Sequence, residues 1–192
     1  SVDGHLPAPA PHCPGGLAAN GAPWDAVRNA YAFTDELAAL RPKIRGKGAL
    51  ARFDKWVGYF EYLRATGKAG CTCGEIDRGM GRLSAIGDPE ARKTFARETA
   101  LPIRIRLNED WGRMMTLAIQ TAESWGGIGT VMGQEVMNRG YMNRLECHDP
   151  TLAAALGTNL PPQALPWTDY RGAPRLYPVS VRSIADKGET LT

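Results

Sequence analysis

The chain has 192 residues, enough for one domain of ordinary size with a buried core. At 43% hydrophobic and 22% charged it excludes wholesale disorder and a fibrous protein, and no run approaches the roughly 18 consecutive apolar residues of a membrane-spanning helix. A net charge of +3 is too weak a bias to predict nucleic acid as a partner.

The 22 glycines and 14 prolines exceed the roughly 12% of average usage, so many breaks and turns are expected. Residues 1–23 hold five prolines and the Gly15-Gly16 pair, and read as an extended arm or linker. No basic stretch followed by an apolar one opens the chain, so no intact secretory leader is expected, although a processed secreted chain would look the same. A first helix is predicted from Trp24 to Leu40, with Val27, Ala30, Tyr31, Leu37 and Ala38 on one stripe. Pro23 and Asp25 suit its start and Pro42 its stop. A second runs from Ala49 to Ala65, where Phe53, Trp56 and Phe60 share a stripe that reads as core, and Gly67 ends it. A third covers Glu75 to Ile86, with Ile76, Met80 and Leu83 on one face.

Asp88-Pro89 has the form of an N-cap followed by proline at the first helical position. The helical pattern continues from there to Trp125, with a kink or break expected near Leu101 because Pro102 lies inside it. Leu107, Trp111, Met114, Ala118 and Trp125 form its apolar stripe. Gly126-Gly127-Ile128-Gly129 reads as a turn, without the Lys-Ser/Thr ending of a phosphate-binding loop. A further helix covers Val131 to Arg144, and Asp149-Pro150 opens a short one that Gly157 ends. Thr158 to Pro174 is irregular. Arg175 to Arg182 and Glu189 to Thr192 then alternate like two opening strands, which cannot bury a sheet face alone. Either the chain is a fragment of a longer protein or these strands lie on the helical core. The predicted fold is mainly α: an irregular helical bundle over residues 24–157, a proline-rich arm before it, and an irregular segment with a short β-like tail over 158–192.

Several short words in this pattern are familiar: Arg41-Pro42, Ile44-Arg45-Gly46, Ala51-Arg52-Phe53, Trp56, Phe60 and Tyr62-Leu63-Arg64. Farther on come Ala100-Leu101-Pro102, Arg104, Arg106-Leu107, Met114-Met115-Thr116, Gly129-Thr130, His148-Asp149-Pro150, Pro174-Arg175-Leu176 and Gly188-Glu189. Together they resemble the helical region behind the catalytic part of large bacterial polysaccharide-degrading, glycoside-hydrolase-like proteins. The resemblance spans roughly residues 24–192 and implies a carbohydrate-active protein: a small glycosidase or the helical part of a larger one. It implies an oligo- or polysaccharide as partner, the rest of a larger chain as company, and a secreted or periplasmic location. It carries over no catalytic residue.

Glycoside hydrolysis needs two carboxyl groups, about 5–5.5 Å apart in retaining enzymes and about 6.5–9.5 Å apart in inverting ones. The candidates are Glu109, Asp110, Glu123 and Glu135. Glu123 and Glu135 are the expected catalytic pair, because the glycine-rich turn between them can fold two helices face to face. Trp125 would supply a low-polarity wall and a stacking face for a sugar. Tyr59 and Tyr62, off the Phe53–Trp56–Phe60 line, are the other expected sugar-binding residues.

Cys13, Cys71, Cys73 and Cys147 read as reduced, mostly buried thiols, with at least one disulfide the other reading and Cys71–Cys73 pairing not expected across one residue. His12-Cys13, Cys71-Thr72-Cys73 and Cys147-His148 offer zinc ligands, but at unusual spacing, so no metal or other cofactor is expected. The competing reading is a non-catalytic helical scaffold or interaction module. Two carboxylates and an aromatic in one concave pocket would favour carbohydrate work; a convex surface with every aromatic buried would favour the scaffold.

Overall fold

The computed structural model describes residues 20–122 and 139–161, and among them every regular element is helical. The predicted mainly α fold is therefore the observed one. The β-like tail, the turn at Gly126–Gly129 and residues 1–19 of the arm lie outside the described residues.

The single helix expected over Trp24–Leu40 is three short pieces, with a fourth just after it. Helix α1 spans Trp24–Val27, a 3₁₀ turn spans Arg28–Tyr31, α2 spans Phe33–Ala39, and a second 3₁₀ turn spans Arg41–Lys43. No side chain caps any of their starts. Only Tyr31 and Thr34 are buried among them, so packing does not impose one straight axis. Arg41 forks onto both Asp54 carboxylate oxygens at 2.8 Å, tying the last turn to the next helix. That hydrogen bond holds the Asp54 carboxyl below its ordinary range.

The largest departure from the sequence reading is α3. It runs unbroken over Lys47–Ala85, 39 residues, where two helices separated at Gly67 were expected. Glycine costs a helix about 1 kcal/mol relative to alanine, and here that loss lets other parts of the chain approach the backbone. Tyr31 lies over Gly67, where a methyl group would collide with its ring and hydroxyl. Asn20 lies on Gly74, where a methyl group would collide with the Asn20 carbonyl. The Asn20 N–H donates to the Gly70 carbonyl at 2.9 Å, and Arg78 donates to the Gly21 carbonyl at 2.8 Å. The end of the expected free arm is thus strapped along α3.

Helix α4 spans Pro89–Phe95 and starts as predicted, with the Asp88 carboxylate accepting from the Ala91 N–H at 2.7 Å. A π-helical turn, Ala96–Ala100, links it directly to α5, Leu101–Thr121. The irregularity expected from Pro102 is this turn, and the helix does not break. A wider turn makes room for a proline ring against the preceding carbonyls, which a strict α-helix does not. Helix α6, Arg139–Leu156, passes through Pro150, so Asp149-Pro150 is not a helix start. Asp149 instead accepts from Nε and Nη2 of the buried Arg104, at 2.8 and 2.7 Å, which pins α6 to α5. His148 meets Asp77 of α3 at 3.0 Å. Gly157 ends α6 as predicted: its φ is 69° and its N–H donates to the Ala153 carbonyl at 2.9 Å.

The core is the seam between α3 and α5. Ala69, Cys73, Ile76, Met80 and Leu83 recur at three- and four-residue steps, facing Ile103, Leu107, Trp111, Met114 and Ala118, which do the same. Ala96 and Ala100 from the π turn and Leu145 and Leu152 from α6 close the seam. Every buried residue of α3 lies between Ala69 and Leu83. The predicted aromatic core is therefore displaced: Phe53 and Phe60 are only half-buried, and Trp56 is 56% exposed. Among the described residues, Phe33 of α2 packs on Phe60 of this stripe and leaves Trp56 largely uncovered. None of the described helices is long and apolar enough to cross a membrane.

Candidate functional site

A cleft of about 470 Å³ opens between the α1–α2 segment, residues 61–68 of α3 and residues 110–117 of α5. The broken first segment makes it: each short piece turns a different side chain inward. Trp24 and Tyr31 form one wall, their rings 5.7 Å apart and inclined by 32°. Burial raises the Tyr31 phenol above the ordinary tyrosine range, with a smaller push from Cys71.

Charge is arranged in two fixed groups. Arg64 lies between Asp35, at 2.8 Å, and Glu61, at 2.6 Å. Burial alone would lower the Arg64 pKa; the hydrogen bonds and charges of the two carboxylates outweigh it and raise the pKa. Deeper in, the nearly buried Asp110 receives the Lys68 ammonium at 2.7 Å and the Thr72 hydroxyl at 2.8 Å. The ammonium and the hydroxyl replace water that burial takes from this carboxylate. Arg28 and Arg113 complete the rim. Arg28 meets only Asp25, at 3.4 Å with both side chains exposed, and no described carboxylate meets Arg113.

Beside the cleft, on the same helix, runs a strip of touching aromatic rings. Phe33 meets Phe60 edge-on at 5.1 Å, Phe60 stacks with Trp56 at 6.0 Å, and Tyr59 lies 6.0 Å from Trp56 and 6.4 Å from Tyr62. Phe33, Trp56 and Tyr59 are exposed, whereas Tyr62 is half-buried against the core.

Glu123, Trp125 and Glu135 lie outside the described residues. Tyr59 and Tyr62 are neighbours in the aromatic strip and do not line the cleft. Of the remaining carboxylate candidates, Asp110 is in the cleft and Glu109 points to solvent. Asp35, Glu61, Arg64, Lys68 and Arg113 were not singled out from sequence. The three- and four-residue steps of Glu61, Arg64 and Lys68 were the available signal, since they put all three on one helical face.

Cys71 is a free, buried thiol, Cys73 is buried and Cys147 is exposed. Burial raises the Cys71 pKa, helped by Asp110 and Glu75 and opposed by Arg78. Among the described residues no three His, Cys, Asp or Glu side chains are gathered as metal ligands. No known protein family, curated protein or solved structure matches the chain.

Proposed function

We propose that the chain is the helical part of a larger carbohydrate-active protein, and that its described body binds saccharide in the cleft beneath Trp24. The observation that carries this reading is one concavity holding three carboxylates, Asp35, Glu61 and Asp110, beside an aromatic wall. Ionised carboxylates accept hydrogen bonds from sugar hydroxyls, and the face of an indole covers the apolar face of a pyranose ring. Each of these carboxylates meets a cation, an arrangement suited to holding a ligand. Acid–base work is assigned to Glu123 and Glu135, the pair chosen on sequence grounds.

The test is affinity electrophoresis of the purified chain through gels containing a panel of polysaccharides, alongside turnover of chromogenic glycosides. The reading expects retardation by at least one polysaccharide; retardation by none overturns it. Any hydrolysis should fall by about 10²–10⁴-fold in Glu123→Gln and in Glu135→Gln.

An interaction module is the second reading, favoured by the exposed rings of Phe33, Trp56 and Tyr59. It expects those rings, and not the cleft, to govern whatever the chain binds.

A further inference from the structure

Resting on the carbohydrate reading, we propose that the cleft selects a carboxylated sugar, a uronate residue of an acidic polysaccharide, and that Arg113 receives its carboxylate.

The argument starts from how charge is distributed along the cleft. Lys68 is matched by Asp110 at 2.7 Å, leaving no net charge at the floor. Arg64 is shared by Asp35 and Glu61, so that group carries an excess negative charge. Arg113, on α5, also lines the cleft, is exposed and has no described carboxylate against it, so its charge is unmatched. The cleft thus holds both an acidic group with excess negative charge and an unmatched cation, and a neutral sugar would use only the first. A uronate uses both: its hydroxyls donate to the acidic group, and its carboxylate accepts the forked guanidinium of Arg113. Trp24 lines the same cleft and offers a platform for the ring.

Geometry also favours arginine as the selector. Arg113 follows the buried Trp111 and precedes the buried Met114 on α5. The rigid core therefore fixes its backbone while its head group stays free for a ligand. Arg64 already donates to two carboxylates at 2.8 Å or less, and their two negative charges outweigh its own, so it offers little attraction to a third.

The experiment measures retardation of the chain in gels containing polygalacturonate, alginate, a neutral xylan or dextran sulfate at matched ionic strength. The expected result is stronger retardation by one or both polyuronates than by xylan or dextran sulfate. Arg113→Gln should weaken polyuronate binding by roughly 10- to 100-fold, the worth of a charge-assisted hydrogen bond, and leave xylan retardation unchanged. Circular dichroism confirms that the variant is folded, and Arg113→Lys should restore only part of the affinity, because an ammonium cannot fork. If xylan retards the chain as strongly as the polyuronates, this inference fails and the carbohydrate reading stands. Equal binding of dextran sulfate would overturn it in favour of unselective charge. No binding to any of the four overturns the inference and the broader reading together.

Discussion

Helix α3 has two halves built on opposite plans. Residues 47–68 hold Phe53, Trp56, Tyr59, Phe60 and Tyr62, yet none of these is buried and Trp56 is 56% exposed. Residues 69–83 are largely small, with Ala69, Gly70, Cys71, Thr72, Cys73 and Gly74 in succession, and all six are buried. Burial along this helix follows the partner available and not the apolar area of the side chain. Small residues let α5 and the Asn20 strap approach closely, and their combined packing against Leu107 and Trp111 makes a dense seam. Among the described residues the large rings meet one another and Phe33 of the broken first segment, and Trp56 and Tyr59 are exposed.

The difference can be broken by mutation, starting in the seam. Leu107→Ala, which empties a fully buried site opposite the small-residue half, should cost about 2–5 kcal/mol in urea unfolding. A cost comparable to a surface change would show that the seam is not the core.

Next come the glycines. Gly74→Ala should destabilise by roughly 1–3 kcal/mol, because its methyl group would displace the Asn20 carbonyl. Gly81 lies on the same helix with nothing within 4 Å of a methyl group there. Gly81→Ala should therefore stabilise by about 0.4–1 kcal/mol, the ordinary helix-propensity gain. Equal effects of the two substitutions would mean that the strap does not lie on Gly74.

A smaller effect comes from the two buried acids at the junction of the halves. Tyr31 and Cys71 have pKa values raised in the folded state, chiefly by burial. Their contribution is present below the unfolded values, about 8.5 for cysteine and 10 for tyrosine, and is lost as pH rises through the folded ones. Thermal unfolding midpoints should therefore fall as pH rises above about 8.5, and Tyr31→Phe and Cys71→Ala should each flatten that decline. Unaltered pH profiles in both variants would remove burial as the cause. The smallest change is expected at the aromatic strip, where Trp56→Ala should cost less than about 1 kcal/mol.

The ends of helices were legible in the sequence wherever a residue acts locally. Asp88-Pro89 and Gly157 perform the capping roles their chemistry suggests. The interior glycines and Asp149-Pro150 were not legible, because their roles depend on distant partners: Tyr31 and Asn20 for the glycines, Arg104 for Asp149. Hydrophobicity found the Ile76–Met80–Leu83 and Leu107–Trp111–Met114–Ala118 stripes of the seam but wrongly added the aromatic stripe, for a similar reason. A period of 3.6 marks Phe53, Trp56 and Phe60 as one face but does not say whether anything lies against it. In the cleft, Asp110 stood among the candidate carboxylates. Asp35 reaches its partner across 29 positions of sequence, a pairing that helical spacing does not show.

Hydrogen–deuterium exchange along α3 tests the two-plan helix most directly, since protection reports how much of the molecule must open to free each amide. The account predicts that peptides from 69–83 exchange only with global unfolding, while those from 47–60 exchange much faster through local opening. Equal protection along the whole helix, or greater protection in the aromatic half, would contradict it.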